Sequence, residues 1–229
     1  GFQRVGDIAW QAADMRTRGF LLGGTAGRTT LNGEGLQHED GHSHILANTI
    51  PNCISYDPTF AHEVAVIMHD GLKRMVERQE NVFYYLTLLN ENYAMPGLQP
   101  GTEEQIIKGM YLSKQAPAIK GKNVPTVQLL GSGTILRESF FAQELLEKDW
   151  GVAASVWSCP SFNELTRDGQ DADRWNLLHP SETPRVPFVT QQLSASTGPV
   201  IASTDYMKAY TEQIRPFIPK DRTYKTLGT

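Results

Sequence analysis

The spacing of apolar positions changes several times along the chain, and each change marks an element. Between residues 5 and 22, Val5, Ile8, Ala9, Ala12, Met15 and Phe20 fall near the i, i+3, i+4, i+7 pattern of a helix with one buried face, and Gly23-Gly24 is expected to end it. From Thr25 to Ile50 the sequence is too polar and glycine-rich for a regular element and reads as a long loop. Cys53-Ile54-Ser55-Tyr56 reads as a short buried strand closed by Pro58. Residues 60 to 77 follow as a helix with Val64, Ile67, Met68, Leu72, Met75 and Val76 inward. Val82 to Leu89 is an almost unbroken apolar run, of the kind buried on both faces of a parallel sheet.

Two Pro-Gly pairs within residues 94 to 102 interrupt the pattern. They set an expected division near residue 98, with residues 1 to 97 before it, 98 to 229 after it, and Glu103 to Leu112 as a helical connector. Beyond the connector the alternation restarts. Val127 to Leu130 reads as a strand, Gly131-Ser132-Gly133-Thr134 as a tight turn, and Ile135 to Asp149 as a helix with Leu136, Phe140, Phe141, Leu145 and Leu146 on one face. Ala153 to Ser158 reads as a strand, residues 161 to 178 as partly helical, and Pro199 to Ser203 as another strand; Asp205 then caps a helix from Tyr206 to Phe217. Strand and helix alternating at this spacing predict βαβ units, so both halves are expected to be α/β with mostly parallel sheets.

Composition narrows the partners more than the fold. The 229 residues are 40% hydrophobic and 20% charged, with a net charge of -4 and no long basic run. That argues against nucleic acid or an anionic membrane surface as the main partner. No apolar stretch approaches the roughly 18 residues of a membrane span. Cys53 and Cys159, both in apolar runs, read as reduced core residues of a cytoplasmic protein. The chain begins at Gly1 and stops at Thr229 straight after a strand-like run, so it is expected to be part of something longer.

Candidate chemistry concentrates in Gly33-Glu34-Gly35-Leu36-Gln37-His38-Glu39-Asp40-Gly41-His42-Ser43-His44, which holds three of the six histidines and three carboxylates. The glycines disfavour a helix, so these groups are placed on a loop, where acids and bases usually serve a site. Imidazoles beside carboxylates can bind an anionic substrate and move protons near neutral pH. His38-Glu39-Asp40-Gly41-His42 also spells H-E-x-x-H, the zinc hydrolase motif. That motif needs both imidazoles one turn apart on a rigid helix, which the glycines oppose, so it stands as a minor alternative. Gly131-Ser132-Gly133-Thr134 lacks the third glycine of a dinucleotide fingerprint and reads as a structural turn. Asp168-Gly169-Gln170-Asp171-Ala172-Asp173 has its glycine in the wrong place for a calcium loop and reads as a solvated turn. His62 and His69, seven apart and so on one side of a helix where nothing else supplies ligands, and His179 before Pro180 read as surface or packing groups.

At the histidine loop the sequence also becomes recognisable. Thr29 to His44, followed by Ile50-Pro51-Asn52-Cys53-Ile54-Ser55-Tyr56-Asp57-Pro58, resembles the homodimeric dehydrogenase component of bacterial pyruvate dehydrogenase complexes. Leu89-Asn90-Glu91-Asn92-Tyr93, Gln128 to Gly133, Thr166 to Asp171 and Ala202 to Lys208 extend the likeness along the chain, and Asp40-Gly41-x-x-His44 is similar to the corresponding loop of transketolases. The resemblance implies the end of a transketolase-like pyrimidine-binding domain followed by a transketolase C-terminal-like domain. It further implies thiamine diphosphate and Mg²⁺, decarboxylation of pyruvate, transfer of the acetyl group to the lipoyl group of a dihydrolipoyl acetyltransferase component, and a homodimer. By motif position His38 and Glu34 correspond to catalytic residues on the substrate side, with Asp40 and His44 as further substrate-binding candidates. The Gly-Asp-Gly and downstream Asn-Asn that hold Mg²⁺ and diphosphate in this superfamily do not occur here. The fragment alone is therefore expected to be inactive. A non-catalytic assembly module of such a complex is the alternative from a different class.

Overall fold

A computed structural model describes residues 2–26, 39–121 and 123–228, and places them in two sheets flanked by helices. The first sheet is parallel with strand order β1-β3-β2, where β1 is Phe20–Ala26, β2 is Cys53–Tyr56 and β3 is Phe83–Leu89. The central β3 is buried at Phe83, Tyr84, Tyr85 and Leu86, as its unbroken apolar run predicts. Tyr84 and Leu86 point to one side, packing with Ile54, Tyr56, Ile67 and Met75, and Phe83 and Tyr85 point to the other, packing with Phe2, Ala9, Ala47 and Ile50. Helix α3 (Ala61–Leu72), continued by a π turn over Lys73–Glu77, covers the first side, and α1 (Gly6–Asp14) and α2 (Ser43–Asn48) cover the second.

The second sheet has the order β4-β6-β5-β7-β8, with β4 (Tyr111–Lys114) antiparallel and β5 (Thr126–Gly131), β6 (Ala153–Ser158), β7 (Val200–Ser203) and β8 (Tyr224–Leu227) parallel. Alternation along β5 divides its neighbours. Val127 and Leu129 face α5 (Gly133–Trp150), with Leu136, Ala154 and Val156, while Leu130 joins the larger core of Phe162, Leu165, Val189, Val200 and Tyr210. That larger core lies under α6 (Phe162–Leu178), α7 (Phe188–Ser194) and α8 (Ala209–Glu212). The mixed α/β architecture and mostly parallel sheets agree with the sequence expectation.

Several boundaries differ from the apolar pattern, each for a physical reason. The first helix stops at Asp14, where Arg16 adopts a left-handed φ of 55°, and Phe20 to Ala26 become a strand because they pair with Tyr84 to Leu89. Gly23 therefore lies inside the strand, where a Cβ would sit 2.7 Å from the Tyr85 hydroxyl. Val5, Ile8 and Met15 are exposed, and the buried stripe of α1 runs through Ala9 and Ala13. Ser43–Asn48 is helical within the stretch expected to be loop. In α3 and its continuation Leu72 and Val76 face outward, and in α5 so do Phe141 and Leu145. The connector helix α4 spans Glu103–Lys108 only, because Gly109 caps it at φ +103°; the next residues form β4 against β6. Asp168 to Asp173 lie within α6 and not in a turn: Ser161 caps that helix by accepting from Glu164 N at 2.9 Å, and Asp168 Oδ2 accepts from Phe188 N at 2.6 Å. After β7 the cap is Lys208, not Asp205, and the helix it opens is short. Cys53 and Cys159 are buried free thiols.

Candidate functional site

The two sheets meet at the C-terminal ends of their parallel strands, where open α/β sheets commonly place their sites. Asp57 follows β2, Thr87 lies near the end of β3, Ser132 follows β5 and Tyr206 follows β7. All four converge. The buried Asp57 carboxylate accepts from Thr87 Oγ1 at 2.6 Å through Oδ1 and from Ser132 Oγ at 2.7 Å through Oδ2, with Tyr206 Oη at 3.4 Å. Its backbone joins the two sheets as well, donating to Pro160 O at 2.7 Å and accepting from Gly133 N at 3.1 Å. Burial pushes the Asp57 carboxyl up to about 6; the Thr87 and Ser132 hydroxyls oppose the shift, and the nearby Asp205 and Asp40 add to it.

His44 stands on the other side of Thr87. It is fully buried on α2, with Nε2 3.0 Å from Thr87 Oγ1. Its ring stacks on Tyr210 at 5.1 Å and lies edge-on to Tyr206 at 5.0 Å, with Tyr85 at 5.3 Å. Nδ1 has no hydrogen-bond partner among the described residues. Burial pulls this imidazole down to about 4, against the opposing pull of Asp40, so near neutral pH His44 is an uncharged ring able to accept or donate one hydrogen bond at each nitrogen. Asp40 Oδ1 accepts from His42 N at 3.1 Å and Ser43 N at 2.9 Å, which starts α2 and fixes the end of the histidine loop. Met207 N reaches back to Gly41 O at 2.8 Å. Asn163, buried at the start of α6, donates to His44 O at 2.7 Å and to Ser55 Oγ at 2.5 Å, and accepts from Gln213 Nε2 at 3.0 Å.

A second buried carboxylate closes the same seam from behind. Glu63 Oε2 accepts from Thr59 N at 2.6 Å and Phe60 N at 3.1 Å at the start of α3, while Oε1 accepts from Tyr111 Oη at 2.8 Å and Ser158 Oγ at 2.5 Å on the other sheet. His62 packs beside it, with Nδ1 3.0 Å from Pro96 O and Nε2 3.1 Å from Tyr111 Oη. His179 stacks on Trp175 at 4.5 Å. These are packing histidines, as their sequence context suggests.

Of the residues singled out from sequence, Glu34 and His38 lie outside the described residues. Asp40 and His44 are described and converge on the seam. Glu39 to His42 are not helical, so the described part of the H-E-x-x-H string lacks the turn that zinc ligation by that motif needs. Asp57 and Ser132 lie in stretches quoted from the sequence, but neither they nor Thr87 are candidate site residues there. The available signal was topological: each sits at the C-terminal end of a strand, and Ser132 in a strand-to-helix turn.

The profile of the "Pyruvate dehydrogenase E1 component middle domain" matches residues 1–96, and that of the "Transketolase-like TK C-terminal domain" matches residues 109–229. The chain belongs to the transketolase-like pyruvate dehydrogenase E1 family. The pyruvate dehydrogenase E1 component of Cupriavidus necator is 62% identical over 229 residues, and that of Escherichia coli K12 61% identical over 230 residues; each alignment takes in 100% of this chain and 25% of the relative. The chain thus spans about a quarter of the length of the curated relatives it matches. Solved transketolases share the fold. The Campylobacter jejuni enzyme superposes with a TM-score of 0.66 at 15% identity, covering 99% of this chain and 29% of that one, and a Pichia stipitis variant with 0.64 at 14% identity, covering 99% and 28%.

For an E1-family chain the implied groups are thiamine diphosphate and Mg²⁺, and the donor set tests the fit. Among the described residues no group of three or more His, Cys, Asp or Glu side chains is placed to hold a metal ion. The buried Asp57 and Glu63 carboxylates are occupied by hydroxyl and backbone donors of the chain itself. Neither carboxylate is therefore free to ligate Mg²⁺ in this arrangement. No helix among them is long and apolar enough to cross a membrane.

Proposed function

We propose that this chain forms one wall of the active site of a thiamine diphosphate-dependent pyruvate dehydrogenase (acetyl-transferring), with the cofactor and Mg²⁺ held by segments other than the described ones. The full reaction decarboxylates pyruvate and passes the acetyl group to the lipoyl group of a dihydrolipoyl acetyltransferase component. Identity of 62% to an E1 component along the whole chain carries this reading. The geometry supports it, since the Asp40 end of the histidine loop is pinned where the strand ends of both sheets converge.

In this reading His38 is the catalytic hydrogen-bond donor and proton carrier on the substrate side, and Glu34 orders the network around it. Asp40 holds the loop end through two backbone bonds, and His44 backs the substrate-binding region as a neutral ring. We place the domain division near residue 98, giving residues 1–97 to the middle domain and 98–229 to the C-terminal domain; the two profiles, ending at 96 and starting at 109, support it. A homodimer and a cytoplasmic location belong to the same proposal. The test is His38→Ala in the intact polypeptide. Turnover of pyruvate should fall while the affinity for thiamine diphosphate is kept, and unchanged turnover would remove His38 from the mechanism.

A further inference from the structure

We infer that Asp57, acting through Thr87, is a positioning residue for His44: the Asp57–Thr87–His44 line fixes the Nε2–H tautomer and keeps Nδ1 as a hydrogen-bond acceptor. The inference rests on the reading of His44 as a residue of the site. Its geometry is a matter of counting protons. Thr87 has one hydroxyl hydrogen and three acceptors in reach, Asp57 Oδ1 at 2.6 Å, His44 Nε2 at 3.0 Å and Tyr56 O at 3.4 Å. The shortest bond, to a carboxylate, takes it. Thr87 Oγ1 can then only accept from the imidazole 3.0 Å away, so His44 Nε2 carries the hydrogen.

Nδ1 is left with a lone pair inside a fully buried ring and no partner among the described residues. A buried acceptor left unmet is costly, which is reason to expect a donor there in the working protein. The aromatic box of Tyr85, Tyr206 and Tyr210 prevents the ring from turning to find another arrangement. Asp57 itself is held from both sheets, by Thr87 on one and by Ser132 and Gly133 N on the other. The tautomer of His44 is thereby tied to the closure of the seam. A displacement of Ser132 that loosened Asp57 would release the Thr87 proton and let the ring invert its donor and acceptor.

Long-range ¹H–¹⁵N spectra of the histidine-labelled intact polypeptide read the tautomer directly, with His44→Gln identifying the signals. The parent and Thr87→Ser should show Nε2 protonated and Nδ1 bare. Thr87→Val and Asp57→Asn should show a mixture or the inverted form, with melting curves reporting that each variant is folded. In the intact polypeptide both variants should lower kcat by roughly 10- to 100-fold with little change in KM, the usual range for an outer partner of a functional histidine. Thr87→Val combined with His44→Ala should be no slower than His44→Ala alone. An unaltered tautomer in both variants, or effects of Thr87→Val and His44→Ala that multiply, overturns the inference. Full turnover of His44→Ala overturns instead the reading of His44 as a site residue, which the tautomer spectra do not depend on.

Discussion

Gly133 and Gly151 form a matched pair of substitutions that separates backbone strain from the buried carboxylate beside one of them. Both hold left-handed φ angles, +49° and +61°. At Gly151 an added Cβ meets nothing within 4 Å, so Gly151→Ala should cost only the left-handed backbone penalty, about 1 kcal/mol. At Gly133 the same methyl would lie 2.6 and 2.8 Å from the two carboxylate oxygens of Asp57. The carboxylate cannot swing away without giving up Thr87 or Ser132, and a buried hydrogen bond to a charged group is worth roughly 1.5–3 kcal/mol. Gly133→Ala should therefore lose about 2.5–4 kcal/mol. At roughly 2–4 °C per kcal/mol for a chain of this length, the melting temperature should drop by about 2–4 °C for Gly151→Ala and about 5–16 °C for Gly133→Ala. Circular-dichroism melts and urea titrations at pH 7 measure both. Equal losses at the two positions would refute the claim that Asp57 is held rigidly in the seam.

The acid side of the stability curve offers a separate check on Asp57. Its folded-state value of about 6 lies above the ordinary carboxylate value, so between roughly pH 4 and 6 the folded chain keeps a proton that the unfolded chain loses. The stability this contributes is complete at the acid end of that window and gone above it. The stability of the parent relative to Asp57→Asn, taken from urea midpoints, should fall as pH rises through the window, and a flat or rising difference would contradict the assignment. Gly169→Ala tests the position of α6. A Cβ there would lie 2.5 Å from the Phe217 ring, so overpacking of about 1–3 kcal/mol should outweigh the roughly 1 kcal/mol gained by replacing glycine in a helix. Adding Phe217→Leu should recover part of the loss; a neutral Gly169→Ala would fit a solvated turn instead.

The arrangement joins two kinds of polar group that a hydrophobic core alone would not need. Asn163 and Glu63 have their oxygens and nitrogens paired across the seam, so they tie the sheets in one register. His44 is held less completely, since its Nδ1 has no partner among the described residues. Asp57 has both carboxylate oxygens paired, and burial is what raises its carboxyl value. Buried groups kept at some cost to stability are common where a site requires a particular donor or acceptor. The seam thus has a fully paired side, toward Glu63, and a side toward the histidine loop that keeps one acceptor open.

Much of the fold was legible because local pattern and tertiary burial agree. The apolar run of β3, the strands β2, β5, β6 and β7, and the long helices α3 and α5 all sit where their spacing predicted. The histidine loop stood out through its residue types, and Asp40 and His44 lie at the seam. The misread boundaries are those where a neighbour decided the conformation. Phe20 to Leu22 fit a helical face until β3 offers them a pairing edge, and Asp168 to Asp173 fit a turn until Ser161 caps the helix and Phe217 packs on Gly169. Asp57, Thr87 and Ser132 lie 30 to 75 residues apart and form no motif in the sequence. They become one site only because β2, β3 and β5 end at the same seam. The sequence by itself determined the α/β class, the family and the loop where the candidate chemistry concentrates, since these depend on residue type and short-range spacing. The tertiary structure alone decided which side chains face one another and which are desolvated, and hence which nitrogen of His44 holds its proton.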